Sequence, residues 1–161
     1  MNIRSPFRLL PALLVLALCA CDQPLTVEQQ VISTIRQMEE KIEAGERRNF
    51  MEYIADDFKG QNEAMTREQV RALVVFQLNR NKRLSAQLFP IRVEETGEGL
   101  ASANFKALVT GGPGWIPERG QVYDFDTQWR YEDDEWLLYR ANWKPVPLDE
   151  TLDKLPKIEI D

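Results

Sequence analysis

The hydrophobic pattern of this chain changes its period once, near residue 84, and that change limits the architecture more than any other feature. Before it, apolar residues recur at helical spacing. Val27, Val31, Ile35, Met38 and Ile42 follow one another at intervals of four, four, three and four, which predicts one helical face over 27–44. Thr26 and Gln29 form a capping box at its start, and Gly45 is the expected stop. Asn49 to Phe58 suggests a second, shorter helix ending at Gly60, with Phe50, Tyr53, Ile54 and Phe58 facing inward. Thr66 and Gln69 make a second capping box, opening a helix over 67–80. Val70, Leu73, Val74 and Gln77 share one of its faces, and Phe76 broadens the apolar surface.

After residue 84 the period is two. Leu84–Glu95 reads as a strand in which Pro90, lacking an N–H, marks a bulge or a sheet edge. Gly97-Glu98-Gly99 turns the chain. Leu100–Thr110 then alternates, with Ala101, Ala103, Phe105, Ala107 and Val109 opposite in sense to Ser102, Asn104 and Lys106. Gly111-Gly112-Pro113-Gly114 reads as a wide hairpin connection. It lacks the Lys-Ser/Thr ending and following helix of a phosphate loop. Gln121–Tyr131 and Glu135–Trp143 are the last two strands. A three-residue loop, Glu132-Asp133-Asp134, would pair Tyr131 with Glu135. It would gather Tyr123, Phe125, Thr127 and Trp129 against Leu137, Tyr139, Ala141 and Trp143, with Asp126 opposite Arg140 and Arg130 opposite Trp136. A two-residue turn at Asp133-Asp134 would instead set Trp129 opposite Leu138. The acids at 132–135 lack the spacing of a calcium loop and read as a solvated turn. Helices first and long antiparallel strands after them make an α+β chain, with N-terminal helices packed on a curved antiparallel sheet.

The N-terminus is an address. Arg4 and Arg8 precede twelve uncharged residues, Leu9–Ala20, too few for the roughly 20 that span a bilayer. Leu18-Cys19-Ala20-Cys21 ends that run and resembles the lipobox of bacterial lipoprotein precursors. The resemblance implies a signal peptide over 1–20, cleavage before Cys21, and a diacylglycerol on the Cys21 sulfur. The two or three acyl chains (palmitate among them) of a mature lipoprotein suffice for stable anchoring, whereas one does not. The product would be exported and held to the bacterial membrane, facing the periplasm in a Gram-negative cell. Which membrane stays open, although Asp22 resembles the inner-membrane retention signal of enteric species. An ordinary signal peptide or an uncleaved anchor is the alternative. The expected division is therefore 1–20 signal peptide, 21–26 lipidated Cys and tether, 27–145 folded domain, and 146–161 a Pro-containing acidic arm.

Charge and composition remove several functions. The chain has 20 Lys plus Arg against 26 Asp plus Glu, a formal net charge of −6 that disfavours nucleic acid. It has no His, which excludes His-based triads and His metal sites. Cys19 would leave with the signal and Cys21 would carry lipid, so the domain would have no thiol for a disulfide, a metal or a nucleophile. No metal or cofactor is expected.

The long first helix, the Tyr53–Gly60 segment, the Thr66–Asn79 helix and the Trp129–Trp136 ending together resemble the nuclear transport factor two-like superfamily, over about residues 27–145. That superfamily includes ketosteroid isomerases and polyketide cyclases. The resemblance implies a conical cavity, and in its enzymes a buried carboxylate base with a Tyr, Asp or His partner. Acid candidates are Asp56, Asp57, Asp124 and Asp126, with Tyr53, Tyr123 and Tyr139 as donors. No position matches an enzyme motif, and no catalytic residue is assigned. Candidate cavity residues are Tyr53, Phe58, Phe105, Tyr123, Trp129, Tyr139 and Trp143. Trp115, Trp129, Trp136 and Trp143 read either as core aromatics or as the wall of a cavity for an apolar or amphipathic ligand. The expected role is a lipid-anchored binding or accessory module. Its partners would be the membrane and a small apolar ligand or an envelope protein, and a homodimer through the sheet is compatible. A carboxylate-based isomerase or dehydratase is the alternative.

Overall fold

A computed structural model describes residues 24–81, 83–112 and 119–147. The proposed leader, Cys21, Trp115 and residues 148–161 of the arm lie outside the described residues.

Helix α1 (Val27–Glu43) begins at the expected capping box: the Thr26 hydroxyl accepts from Gln29 N–H, and the Gln29 side chain accepts from Thr26 N–H. It buries Val31, Ile35 and Met38 and ends at Gly45, whose φ of +73° suits glycine. Helix α2 (Arg47–Glu52) is short and buries Met51.

The second predicted helix does not continue past α2. Residues Ile54–Gly60 form strand β1, with Ile54, Ala55, Phe58 and Gly60 buried and Asp56, Asp57 and Lys59 exposed. A partner distant in sequence decides this. Strand β6 (Glu135–Val146) offers its free edge, and β1 pairs with it in parallel, Ile54 opposite Leu138 and Gly60 opposite Ala141. Leu138 N–H donates to Tyr53 C=O, and Gln61 N–H donates to Ala141 C=O. Gly60 is therefore a close-packing residue, not a helix stop. A Cβ there would lie 3.1 Å from the Phe58 ring and 3.4 Å from that of Trp143.

Beyond β1, Gln61, Asn62 and Glu63 all have positive φ (51°, 55° and 72°). That costs about 1–2 kcal/mol per non-glycine residue and is held by bonds to β6. The Gln61 amide donates to Trp143 C=O, Asn62 N–H donates to the Asn142 side chain, and Arg140 pairs with Glu63. Strand β2 (Met65–Thr66) leads into α3 (Arg67–Arg80), which opens on the second expected capping box. Only Val70 of α3 is buried; Leu73 and Phe76, placed in its expected apolar surface, are 37% and 57% exposed.

Strands β3 (Arg83–Gly97), β4 (Leu100–Gly112), β5 (Arg119–Glu132) and β6 complete a six-stranded sheet of order β2-β1-β6-β5-β4-β3. The sheet is mixed because β1–β6 is parallel; the other pairs are antiparallel. Pro90 sits where β3 is both an edge strand and out of register, between Phe89 and Arg92. Small residues face large ones across β4–β5: Ala101 opposite Trp129, Ala103 opposite Thr127, Ala107 opposite Tyr123. Trp129 is 1% exposed, and its indole N–H donates to the Thr127 hydroxyl, which donates in turn to Ala103 C=O. Trp136 donates to the Gln30 side chain and pins α1 to β6.

The β5–β6 hairpin corrects the three-residue expectation. Glu132 pairs with Glu135 around a two-residue turn, Asp133-Asp134, with φ of +50° and +65°. This is the primed geometry that matches the strand twist, and aspartate tolerates it. Trp129 therefore faces Leu138. One bulge follows: Tyr139 has no partner on β5, and the register resumes with Gln128 opposite Arg140 and Thr127 opposite Ala141. The bulge switches the parity of β6, so its inward set is Trp136, Leu138, Ala141 and Trp143 rather than Leu137, Tyr139, Ala141 and Trp143. Asp126 faces Asn142, not Arg140, and Arg130 faces Leu137, not Trp136.

Candidate functional site

Between α1, α3 and the inner face of the sheet lies a cleft of about 700 Å³, within the usual size of small-molecule sites. Its helical wall is Ile35, Met38 and Ile42 of α1 with Val70, Leu73 and Val74 of α3. Its sheet wall is an aromatic ladder across three strands. The Phe105 and Phe125 rings stack at 5.1 Å and 11°, and those of Phe125 and Trp143 at 6.2 Å and 26°. Tyr123 tilts against Phe125 at 6.3 Å. The period of two puts these residues on one face, so each strand contributes without bending.

Of the seven candidate cavity residues, Phe58, Phe105, Tyr123 and Trp143 line the cleft. Trp129 lies in the buried core, its N–H committed to Thr127. Tyr53 packs beside the core and donates its hydroxyl to Gln37. Tyr139 is on the opposite face of the sheet, a consequence of the bulge. Its hydroxyl donates to Gln128, and the Arg130 guanidinium lies 5.5 Å from its ring centre. Phe125 belongs to the site and was missing from the expected set, although its alternation with Tyr123 and Thr127 was visible. The α1 stripe gave the same signal for Ile35, Met38 and Ile42.

The polar groups of the cleft are mostly committed. Thr127 both donates and accepts within the protein. The Gln121 amide donates to Val122 and Val146 carbonyls, and the Asn81 amide to Gln77. Tyr123 and Arg80 have side chains without a hydrogen-bond or ion-pair partner among the described residues, and both line the cleft.

None of the four acid candidates lines it. Asp124 and Asp126 alternate with Tyr123, Phe125 and Thr127 and so point the other way; Asp124 lies 3.5 Å from Lys106, and Asp126 is exposed. Asp56 is fully exposed, 3.7 Å from Arg67. Asp57 takes a two-pronged bond from Arg130, at 3.1 and 3.2 Å, which holds its carboxyl below the usual range. Hydrogen bonds from Lys41 and Asn49 likewise lower Glu46. Among the described residues the sole acid in the lining is Glu39, whose carboxylate is 2.8 Å from Arg36.

No protein-family model matches the sequence, and comparison with curated proteins finds no match. Solved structures do match. An NTF2-like protein of unknown function from Pseudomonas putida superposes with a TM-score of 0.63 at 15% identity, over 83% of this chain and 96% of its own. An NTF2-like protein from Streptomyces avermitilis, for which a dehydratase role has been suggested, gives 0.64 at 18%, over 74% and 96%. An uncharacterised protein with a cystatin-like fold from Caulobacter vibrioides gives 0.63 at 14%, over 78% and 93%. With helices packed on a curved, open, mixed sheet, this chain has the NTF2-like fold.

Proposed function

We propose that this chain is an exported, lipid-anchored domain of the bacterial envelope that binds an apolar or amphipathic small molecule without transforming it. The carrying observation is the cleft: about 700 Å³, walled by Phe58, Phe105, Phe125 and Trp143, with Asp56, Asp57, Asp124 and Asp126 all outside its lining. A carboxylate base for proton abstraction needs its pKa raised by burial. Among the described residues the acid in the lining is Glu39, and its carboxylate is paired with Arg36. The Tyr123 hydroxyl and the Arg80 guanidinium, without a hydrogen-bond or ion-pair partner among the described residues, suit polar groups on an otherwise apolar ligand. Support for the anchor is the Leu18–Cys21 motif after a basic start and an apolar run.

Native mass spectrometry of the delipidated protein from its own envelope tests the binding role. A retained adduct is expected in the wild type and should be weakened in Val109→Trp, which narrows the cleft. An adduct retained as fully by Val109→Trp as by the wild type refutes the site. Membrane attachment and lipid labelling that persist in Cys21→Ser refute the anchor. The Streptomyces neighbour motivates a second reading, a dehydratase-like enzyme, which among the lining residues would have to use Glu39. Turnover abolished by Glu39→Gln would favour that reading.

A further inference from the structure

A second concavity, of about 710 Å³, lies between α2 and α3, and it carries charge of the opposite sign to the chain. Four of its lining residues are arginines, Arg47, Arg48, Arg67 and Arg71, against two acids, Glu46 and Glu52. Both acids are already engaged. Glu46 pairs with Lys41 at 3.0 Å and accepts from the Asn49 amide at 2.7 Å, while Glu52 sits 3.8 Å from Arg48. Arg47 and Arg71 form no ion pair among the described residues. Arg67 is held in place by the backbone: its Nε donates to Ile54 C=O at 3.0 Å and its Nη2 to Met51 C=O at 2.9 Å. Its Nη1 has no hydrogen-bond partner among the described residues. Its nearest carboxylate, Asp56, is fully exposed and 3.7 Å from Nε.

Arg67 and Arg71 are four residues apart on one helix, so they share a face, and like charges there destabilise the helix. The two carboxylates of the groove, Glu46 and Glu52, pair with Lys41 and Arg48, and neither forms an ion pair with Arg67 or Arg71 among the described residues. A guanidinium fixed by two carbonyls has lost its rotamer freedom during folding, so a ligand need not order it again. Met51, Val74 and Val75 give the same groove an apolar wall.

We propose that this groove binds an oxyanion, a phosphate or phosphodiester group, between Arg47, Arg67 and Arg71. The ligand could be free in solution or the headgroup of a lipid beside the anchored domain; only the second source rests on the proposed anchoring. The groove shares Val74 with the apolar cleft, but none of these three arginines lines that cleft.

The test is the thermal midpoint of the full chain in a non-ionic detergent, followed by tryptophan fluorescence. Inorganic pyrophosphate is titrated in one arm; phosphatidylglycerol or phosphatidylcholine is mixed into the micelles in the other. Pyrophosphate or phosphatidylglycerol should raise the midpoint, and Arg47→Gln or Arg71→Gln should each weaken that response about tenfold. Arg92→Gln, on β3 and outside the groove, should leave it unchanged. In anion-free buffer, Arg71→Gln should itself raise the midpoint, because it removes the helix repulsion; a purely structural Arg71 would lower it. A response to phosphatidylglycerol alone identifies the source as a headgroup, and a response to pyrophosphate identifies a soluble ligand. No response to either at about 10 mM, or a response that Arg92→Gln reduces as much as Arg71→Gln, overturns the proposal.

Discussion

Replacing Thr127 with Val separates a structural polar group from a functional one on the floor of the cleft. Thr127 is 2% exposed; its hydroxyl donates to Ala103 C=O at 2.7 Å and accepts from the Trp129 indole at 2.9 Å. Valine keeps the shape and removes both bonds. The indole N–H, on a residue 1% exposed, is then left without an acceptor, which costs about 1–3 kcal/mol. Losing the bond to Ala103 costs about 1 kcal/mol more, and the added apolar methyl returns about the same. The net expectation is a loss of about 1–3 kcal/mol. Thr127→Ser keeps both bonds and deletes one buried methyl, at about 1 kcal/mol. Urea unfolding followed by tryptophan fluorescence should order the proteins wild type, Thr127→Ser, Thr127→Val. With a slope of about 2 kcal/mol per M, the valine variant's midpoint should fall by about 0.5–1.5 M. Binding of an apolar ligand by the folded valine variant should be unimpaired. A valine variant as stable as wild type, or less damaged than the serine variant, would refute the hydrogen-bond reasoning. Lost binding with unchanged stability would make Thr127 a ligand contact.

Asp134→Gly should stabilise the β5–β6 hairpin by about 1 kcal/mol, since Asp134 has φ of +65° and glycine removes the Cβ penalty; differential scanning calorimetry would read it. Asp57→Asn should cost no more than about 1 kcal/mol near neutral pH, because Asp57 is largely exposed. The folded pKa of Asp57 is depressed, so its contribution is present above the unfolded value and disappears as pH falls through the folded one. The gap between wild type and Asp57→Asn should therefore close between about pH 5 and pH 2 in acid titrations of stability. Gly111→Ala should destabilise by about 1 kcal/mol, because a Cβ there lies 2.9 Å from the Asn81 side chain and would displace its bond to Gln77 C=O. Its effect should largely vanish in an Asn81→Ala background, as urea titrations of the double mutant would show.

What the sequence revealed follows the range of the forces involved. Capping boxes, the α1 stripe and the alternation of β4 and β5 are local and were legible, including the bulge-or-edge signal of Pro90. Residues 54–60 were not, because Phe50, Tyr53, Ile54 and Phe58 fit a helical face as well as an inward-facing strand. The choice rests on backbone bonds to β6, some eighty residues away. In the last hairpin, the sequence showed that aromatics must segregate but not that β6 could change parity midway. The bulge at Tyr139 segregates them with a two-residue turn, an arrangement outside both unbulged registers. That displacement also removes Tyr139 from the cleft. Phe125 was recoverable by the rule that placed Tyr123.

The same parity governs what the cleft can do. On β5, acids alternate with aromatics, so a strand that presents Tyr123, Phe125 and Thr127 inward must turn Asp124 and Asp126 outward. On β1, Asp56 and Asp57 are the exposed pair between buried Ala55 and Phe58. The acidic charge that suggested a base is thus carried on the solvent side, where Arg130 and Lys106 meet two of its members. An acid on β5 could reach the cleft only from an inward position such as 125. The aromatic ladder from Phe105 to Trp143 runs through that very position. On β5, packing of the wall and possession of an acid compete for that one position, which Phe125 fills, so the acid in the described lining, Glu39, comes from α1.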